Sequence, residues 1–298
     1  MTRHKLFKKS VKSLQSISDL QEEYYVCPLC LRGFKEEAIK SDILTFEHVP
    51  QKSIGGKKLL LTCDKCNSEA GYKFESDLHK RERVKSFVHA LVGKEEFEGR
   101  IKLTLGGVKT NTKIKIKDGS VRFEIPEMIN NPKKREQQFN HLQKLVDEQI
   151  TDYKFNVEAV DRFSKNKVKV SYLKSAYLAA FAALGYGYIL RKELDIVRKQ
   201  IQNPQKDIIP QIFLETNKKH TEEQTIIDVS SPIKSILVHI NRTVVLLPPV
   251  ENGKNSYNDI VNFVKNKSKQ STLTGIELGW PSKLEFEYDN FLKEKLYG

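Results

Sequence analysis

Four cysteines, all that the 298-residue chain contains, form two Cys-x-x-Cys pairs, Cys27-Pro-Leu-Cys30 and Cys63-Asp-Lys-Cys66, with 32 residues between them. Each pair makes a tight knuckle offering two sulfurs, and the segment between must double back to bring the knuckles together. Four thiolates at this spacing suit tetrahedral Zn²⁺. With sulfur in every position no coordination site is left for water, so such a zinc is structural and any chemistry belongs to what it holds in place. Two disulfides are the competing use of four cysteines. They belong to oxidising compartments, whereas the opening Met1-Thr-Arg-His-Lys-Leu-Phe-Lys-Lys9 has neither the apolar stretch nor the cleavage site of a secretory leader. A thioredoxin-like redox pair would not come in duplicate.

Between the knuckles lie Thr45-Phe-Glu47-His48-Val-Pro50, then Gly55-Gly56, then Leu59-Leu-Leu61 leading into Cys63, and Asn67 follows the last cysteine directly. This order, over about residues 20–80, resembles the HNH endonucleases of the zinc-stapled type found in phage recombination and restriction enzymes. The resemblance implies a ββα-metal fold in which two strands and a helix frame a divalent ion. It assigns His48 as general base, a neutral imidazole with a pKa near working pH. Glu47 and the Asn67 side-chain carbonyl become oxygen ligands of Mg²⁺ or Mn²⁺, which polarises the scissile phosphate. A regular strand would turn Glu47 and His48 to opposite faces, and Pro50 argues for an irregular strand end.

His79, in Glu75-Ser-Asp-Leu-His79-Lys, is the candidate for the third letter. Twelve residues of straight helix separate it from Asn67 by about 18 Å, so the two share an ion only if Asn67 lies in the zinc knuckle before the helix and Gly71 breaks the path. The plainer expectation is an exposed helical histidine. His89, in Phe87-Val-His89-Ala-Leu91, is expected to pack.

The formal net charge is +13, distributed as +4 over residues 1–100, +9 over 101–200 and 0 over 201–298. A Zn²⁺ with four thiolates lowers the total to about +11. Polyphosphate is therefore expected at the first two thirds of the chain. No apolar run reaches the 18 residues of a membrane span, and a cytoplasmic location without membrane association is expected. No Gly-x-x-x-x-Gly-Lys-Ser loop indicates ATP use.

Beyond the motif, residues 80–91 continue a helix that Gly93 ends. Arg100–Leu105 and Lys113–Lys117 read as strands, the latter joined through Asp118-Gly119 to Ser120–Ile125 in a hairpin. That hairpin shows Lys113, Lys115 and Lys117 on one face. With Lys133, Lys134 and Arg135 they are candidate phosphate contacts, although a lysine face is more commonly ordinary solvated surface. Residues 133–150 carry Phe139, Leu142, Leu145, Val146 and Ile150 at helical spacing. An extended stretch is expected over Phe155–Tyr172, a buried helix over Leu173–Leu184, and a second helix over Ile189–Ile201 ended by Asn203-Pro204. The aromatics Tyr177, Phe181, Tyr186 and Tyr188 are read as core rather than base-stacking groups. Strands are expected at Ser235–Ile240 and Thr243–Leu247, and a polar loop over 251–272.

These features define an α+β chain. Its expected parts are an N-terminal zinc-stapled HNH unit, residues 1–95, and a basic α+β domain, residues 96–298, with a β-hairpin and a central helix pair, for substrate, partner or regulatory contacts. The function implied by the resemblance is metal-dependent hydrolysis of DNA in restriction or phage defence. Two alternatives stand beside it: a non-catalytic zinc-ribbon nucleic-acid-binding or adaptor protein, and an RNA-cleaving nuclease with the same site.

Overall fold

The computed structural model describes residues 1–149, 156–209, 213–215, 224–241, 243–251, 257–266 and 272–297. The chain is mixed α+β. Helix α1 (Arg3–Ser16) starts where the Thr2 hydroxyl accepts the Lys5 amide at 3.3 Å, and it buries Leu6, Phe7, Val11 and Leu14 along one face. Strands β1 (Tyr25–Val26) and β2 (Gly33–Phe34) flank the first knuckle, and the short α2 (Glu37–Lys40) follows. The antiparallel pair β3 (Leu44–Val49) and β4 (Lys57–Cys63) runs directly into α3 (Asp64–Ala70), a π-helical turn (Gly71–Glu75) and α4 (Ser76–Leu91).

Next come β5 (Phe97–Leu105), β6 (Val108–Lys117), β7 (Ser120–Glu124), α5 (Pro132–Asp147) and β8 (Asn156–Ala159). Helix α6 (Lys165–Leu184) leads to α7 (Tyr186–Ile189) and α8 (Asp195–Gln202). The final elements are β9 (Phe213–Glu215), β10 (Thr225–Ser231), β11 (Ser235–Ile240), β12 (Thr243–Leu247), α9 (Tyr257–Asn266), β13 (Thr274–Gly279) and α10 (Glu287–Tyr297). Strands β9 to β13 form an antiparallel sheet in the order β13-β10-β11-β12-β9.

Compact packing does not follow a division at residue 95. One unit joins Met1–Leu78 to Ser164–Gly298, and the other is His79–Phe163. The cause is α6, which is buried from Val170 to Leu184 on every side and gives the N-terminal segment its core. The Tyr177 hydroxyl donates to the Pro28 carbonyl at 2.8 Å, and that of Tyr186 to Val26 at 2.9 Å. All four aromatics read as core, Tyr177, Phe181, Tyr186 and Tyr188, are fully buried.

Helix α6 also begins earlier than expected. Val168, Val170 and Tyr172 alternate like a strand, yet the Ser164 hydroxyl caps a helix there, and Asp77 accepts the Ser164 amide at 2.6 Å. The expected second helix is divided into α7, a 3₁₀ turn at Lys192–Leu194 and α8. Within the expected polar loop, α9 buries Tyr257, Ile260 and Val261, whose spacing is helical. The other residues of that loop, apart from 251, 257–266 and 272, lie outside the described residues, as do Ile150 and Phe155.

The second unit holds a sheet in the order β7-β6-β5-β8. The Asp118-Gly119 turn has positive φ at both residues, 50° and 71°, and Lys117 pairs with Ser120, so the hairpin is as expected. Ile101, Leu103, Ile114 and Ile116 pack with Phe87 and Ala90. Helix α5 departs from its expected face: Phe139 and Val146 are exposed, while Gln138 is buried and its carbonyl accepts the Thr110 hydroxyl at 2.5 Å.

The turn after α6 generates the first prediction. Gly185 has φ 97° and ψ −165°, a region reserved for glycine, and a Cβ there would lie 2.3 Å from an Asp289 carboxylate oxygen. That buried carboxylate accepts the Tyr186 amide at 2.8 Å, the Gly187 amide at 2.6 Å and the Ser13 hydroxyl at 2.5 Å, tying α10, α7 and α1 together. Gly185→Ala should lower stability by at least about 1–3 kcal/mol, read as a lower urea midpoint; an unchanged midpoint would refute this account of the turn.

Candidate metal centre and the acid-histidine strand

The cysteines come together. Their four Sγ atoms lie within 4.8 Å of one another, and this is the one group of three or more His, Cys, Asp or Glu side chains among the described residues placed to hold a metal ion. The four could hold a structural metal such as zinc. The first knuckle closes through the Cys27 amide donating to the Arg32 carbonyl at 3.0 Å and the Leu31 amide donating to the Cys27 carbonyl at 2.8 Å. In the second, Cys63 ends β4 and caps α3, and Cys66 lies in the first turn of that helix. The Cys63 amide donates to the Cys27 sulfur at 3.4 Å.

Crowding divides the thiols. Hydrogen bonding with Cys27 lowers Cys30 and Cys63, the latter to about 6, while the same neighbours push Cys27 and Cys66 up. The Arg32 guanidinium donates to Cys30 at 3.5 Å and to Cys63 at 3.9 Å, which favours the thiolate form of both. Arg32 is thus a supporting group that cysteine spacing does not reveal.

On β3, Glu47 and His48 enter different environments. Glu47 faces Leu60 and His48 faces Lys58, which leaves Leu59 as an extra residue on β4. Irregularity therefore comes from the partner strand as well as from Pro50. Glu47 is 3 % exposed, and its Oε2 accepts the Thr62 hydroxyl at 3.1 Å and the Lys174 ammonium at 3.0 Å. Lys174, from α6, is 1 % exposed and donates also to Glu75 at 2.8 Å. Burial opposes the charge of Lys174, but the two carboxylates outweigh it and its pKa is raised. Burial likewise raises Glu75 despite the nearby lysine. Asn67 donates to the Thr45 hydroxyl at 3.1 Å and to the Phe46 carbonyl at 3.3 Å.

His48 is half-buried. Burial, then the charges of Lys58 and Lys52, lower its pKa, and Glu75 opposes them. Both lysines are exposed, and the Lys58 ammonium lies 4.8 Å from the centre of the Phe46 ring. A neutral imidazole near two exposed ammonium groups can accept a proton, and the ammonium groups attract anions. Lys52, Lys58, Glu75 and Lys174 were not singled out from sequence. Lys174 had a signal: it is the one charge in the apolar stretch Val170–Leu184, and such a lysine requires carboxylate partners.

The remaining candidates lie elsewhere. Gly71 has right-handed helical backbone, φ −54° and ψ −49°, and the helical path from Asp64 continues through it. The break on which an ion shared by Asn67 and His79 depends is absent. His79 is exposed on α4, and His89, expected only to pack, pairs with Glu95 at 2.8 Å. Lys113, Lys115 and Lys117 form exposed ion pairs with Glu124, Glu98 and Glu96 at 3.1, 3.4 and 3.6 Å, and Arg135 pairs with Glu127 at 2.5 Å. Lys133 and Lys134 lie exposed in the first turn of α5.

The chain matches no family model, no curated protein and no solved structure. The HNH resemblance therefore rests on the residues themselves. No helix among the described residues is long and apolar enough to cross a membrane.

The thiol cluster predicts one tightly held zinc per chain. Structural zinc contributes about 10–16 kcal/mol of apparent binding free energy in small metal-stapled units. Cys63→Ser should therefore lose the metal and open residues 25–66 to protease. Full zinc content or unchanged protection in the variant would remove the cluster from the folding account.

Proposed function

We propose that the protein is a nuclease that cleaves nucleic-acid phosphodiester bonds with His48 as general base. The observation that carries this reading is the setting of His48, a half-buried imidazole with a lowered pKa beside the exposed Lys52 and Lys58. In this scheme the two lysines neutralise phosphate oxygens. Neutral His48 takes the proton from the attacking water as its oxygen bonds to phosphorus, the P–O bond to the leaving oxygen breaks, and that oxygen takes a proton from solvent. The basic chain, at +13, supplies sequence-independent attraction to a polyanion. DNA is the substrate class that the HNH resemblance favours, with restriction or phage defence as its setting.

A catalytic Mg²⁺ or Mn²⁺ at Glu47 and Asn67 does not fit the donors as they are arranged, because Lys174 already occupies Glu47. This favours a second reading, cleavage of RNA: His48 takes the 2′-hydroxyl proton, the 2′-oxygen bonds to phosphorus to give a 2′,3′-cyclic phosphate, and the 5′-oxygen leaves with a proton from solvent. The non-catalytic zinc-ribbon adaptor is the alternative from another class.

Purified protein incubated with plasmid, single-stranded DNA and RNA, each with Mg²⁺, Mn²⁺ or EDTA, separates the three. His48→Ala should keep zinc and fold while cleavage falls by about 10²–10⁴. A base works in its neutral form, and the His48 pKa is lowered below its ordinary 6.5. The rate should therefore be level through neutral pH and fall only on acidification below that value. Should no substrate be cut under any condition, or His48→Ala cut as well as the parent, the adaptor takes the nuclease's place.

A further inference from the structure

We infer that the cation of the Glu47 site is the Lys174 ammonium, and that the acid of the Glu-His doublet is closed to divalent ions in the folded chain. The inference rests on the site described for the proposed nuclease, but its readout is ion binding and it stands or falls apart from cleavage. Its basis is a set of three charges from three distant segments, two of them buried and Glu75 half-buried. Lys174 donates to Glu47 at 3.0 Å and to Glu75 at 2.8 Å, with Lys174 and Glu47 both less than 5 % exposed.

A hard divalent cation needs about six oxygen ligands, and Mg²⁺ in particular keeps several waters among them. At Glu47 one carboxylate oxygen is already engaged by two other groups. Oε2 accepts from Thr62 as well as from Lys174. No His, Asp or Glu joins Glu47 in a metal-holding group among the described residues. A dication on Glu47 would also lie beside a fixed positive charge that cannot swing to solvent, since Lys174 is 1 % exposed.

The same contacts give Lys174 a positive role. From Asn67 through Thr45 on β3, and from Thr62 through Glu47 and Lys174 to Glu75, polar groups of the strand pair, α3, the π-turn and α6 satisfy one another. The lysine thus fastens the acid-histidine strand to the central helix, taking the place that the HNH resemblance reserves for a metal.

The test measures free Mn²⁺ by electron paramagnetic resonance in titrations of the full-length, zinc-loaded chain. Parent and Glu47→Gln should give superimposable curves, with no Glu47-dependent site tighter than about 1 mM. Removing the lysine alone leaves the buried Glu47 and half-buried Glu75 carboxylates without their shared cation, so the freed site is tested in Lys174→Met/Glu75→Gln, its fold checked by zinc content and circular dichroism. That variant should gain one Mn²⁺ site at least about tenfold tighter than anything at Glu47 in the parent, and adding Glu47→Gln should abolish it. A Mn²⁺ site in the parent that Glu47→Gln removes would overturn the inference. So would a folded double variant that gains none. If the parent binds no Mn²⁺ and cuts nothing, the nuclease proposal fails while the assignment of Lys174 stands.

Discussion

A lysine ammonium enclosed within a helix of alanines, leucines and aromatics governs the architecture of the first unit. Moving such an ion out of water costs several kcal/mol even after relaxation, and the cost is met only when carboxylates reach it with good geometry. Lys174 is met by Glu47 at 3.0 Å and Glu75 at 2.8 Å. Residues 47, 75 and 174 must therefore converge, and with them the strand pair, the π-turn and α6. The π-turn fits this demand, since it displaces Glu75 from the register that an unbroken α-helix would impose, while Ser171 of α6 donates to the Phe74 carbonyl at 3.1 Å. It follows that the N-terminal segment and the C-terminal half form one unit, into whose sequence His79–Phe163 is inserted.

The elements whose determinants are local were legible in the sequence. The cysteine knuckles follow from spacing, and the β6–β7 hairpin from Asp118-Gly119 with alternating Ile114 and Ile116. Where tertiary packing outweighed local pattern, sequence reasoning failed. Val168, Val170 and Tyr172 alternate as in a strand, but burial on all sides and the Ser164 cap make that stretch the start of α6. On α5 the apolar spacing of Phe139 and Val146 suggested the packed face, whereas Gln138 is the residue buried there, bonded to Thr110. The short α9 was masked by the polar residues around Tyr257, Ile260 and Val261.

The candidate site divides along the same line. Cys27, Cys30, Cys63 and Cys66 assemble because their grouping is written in short spacings. Glu47 and His48 were correctly placed on a strand, but their chemistry depends on partners that no local motif could supply. Lys174 and Glu75 lie 127 and 28 residues from Glu47. A motif read locally makes Glu47 a free carboxylate, whereas the fold makes it the counter-ion of a buried lysine. For His48 the outcome is the reverse: its neighbours Lys52 and Lys58 are close in sequence, and they lower its pKa as burial does.

The strand pair shows how these roles coexist on one hairpin. Its register begins at Leu44 opposite Cys63, so a metal held by the thiols would fix the end where β4 passes into α3. Thr62 and Glu47 follow, and there Lys174 ties the middle of the pair to α6. Four residues beyond Leu44, about 13 Å along the strand, His48 faces Lys58 after the bulge has shifted the register by one. Rigidity is thus concentrated at the thiol end and in the middle, and the imidazole lies at the end that neither fastening covers. A base that must meet a large anionic polymer requires such a position, oriented by a supported strand but open to solvent on one side. The buried pair at Glu47 therefore need not oppose chemistry at His48. It separates the residue that holds the hairpin in place from the residue proposed as the base.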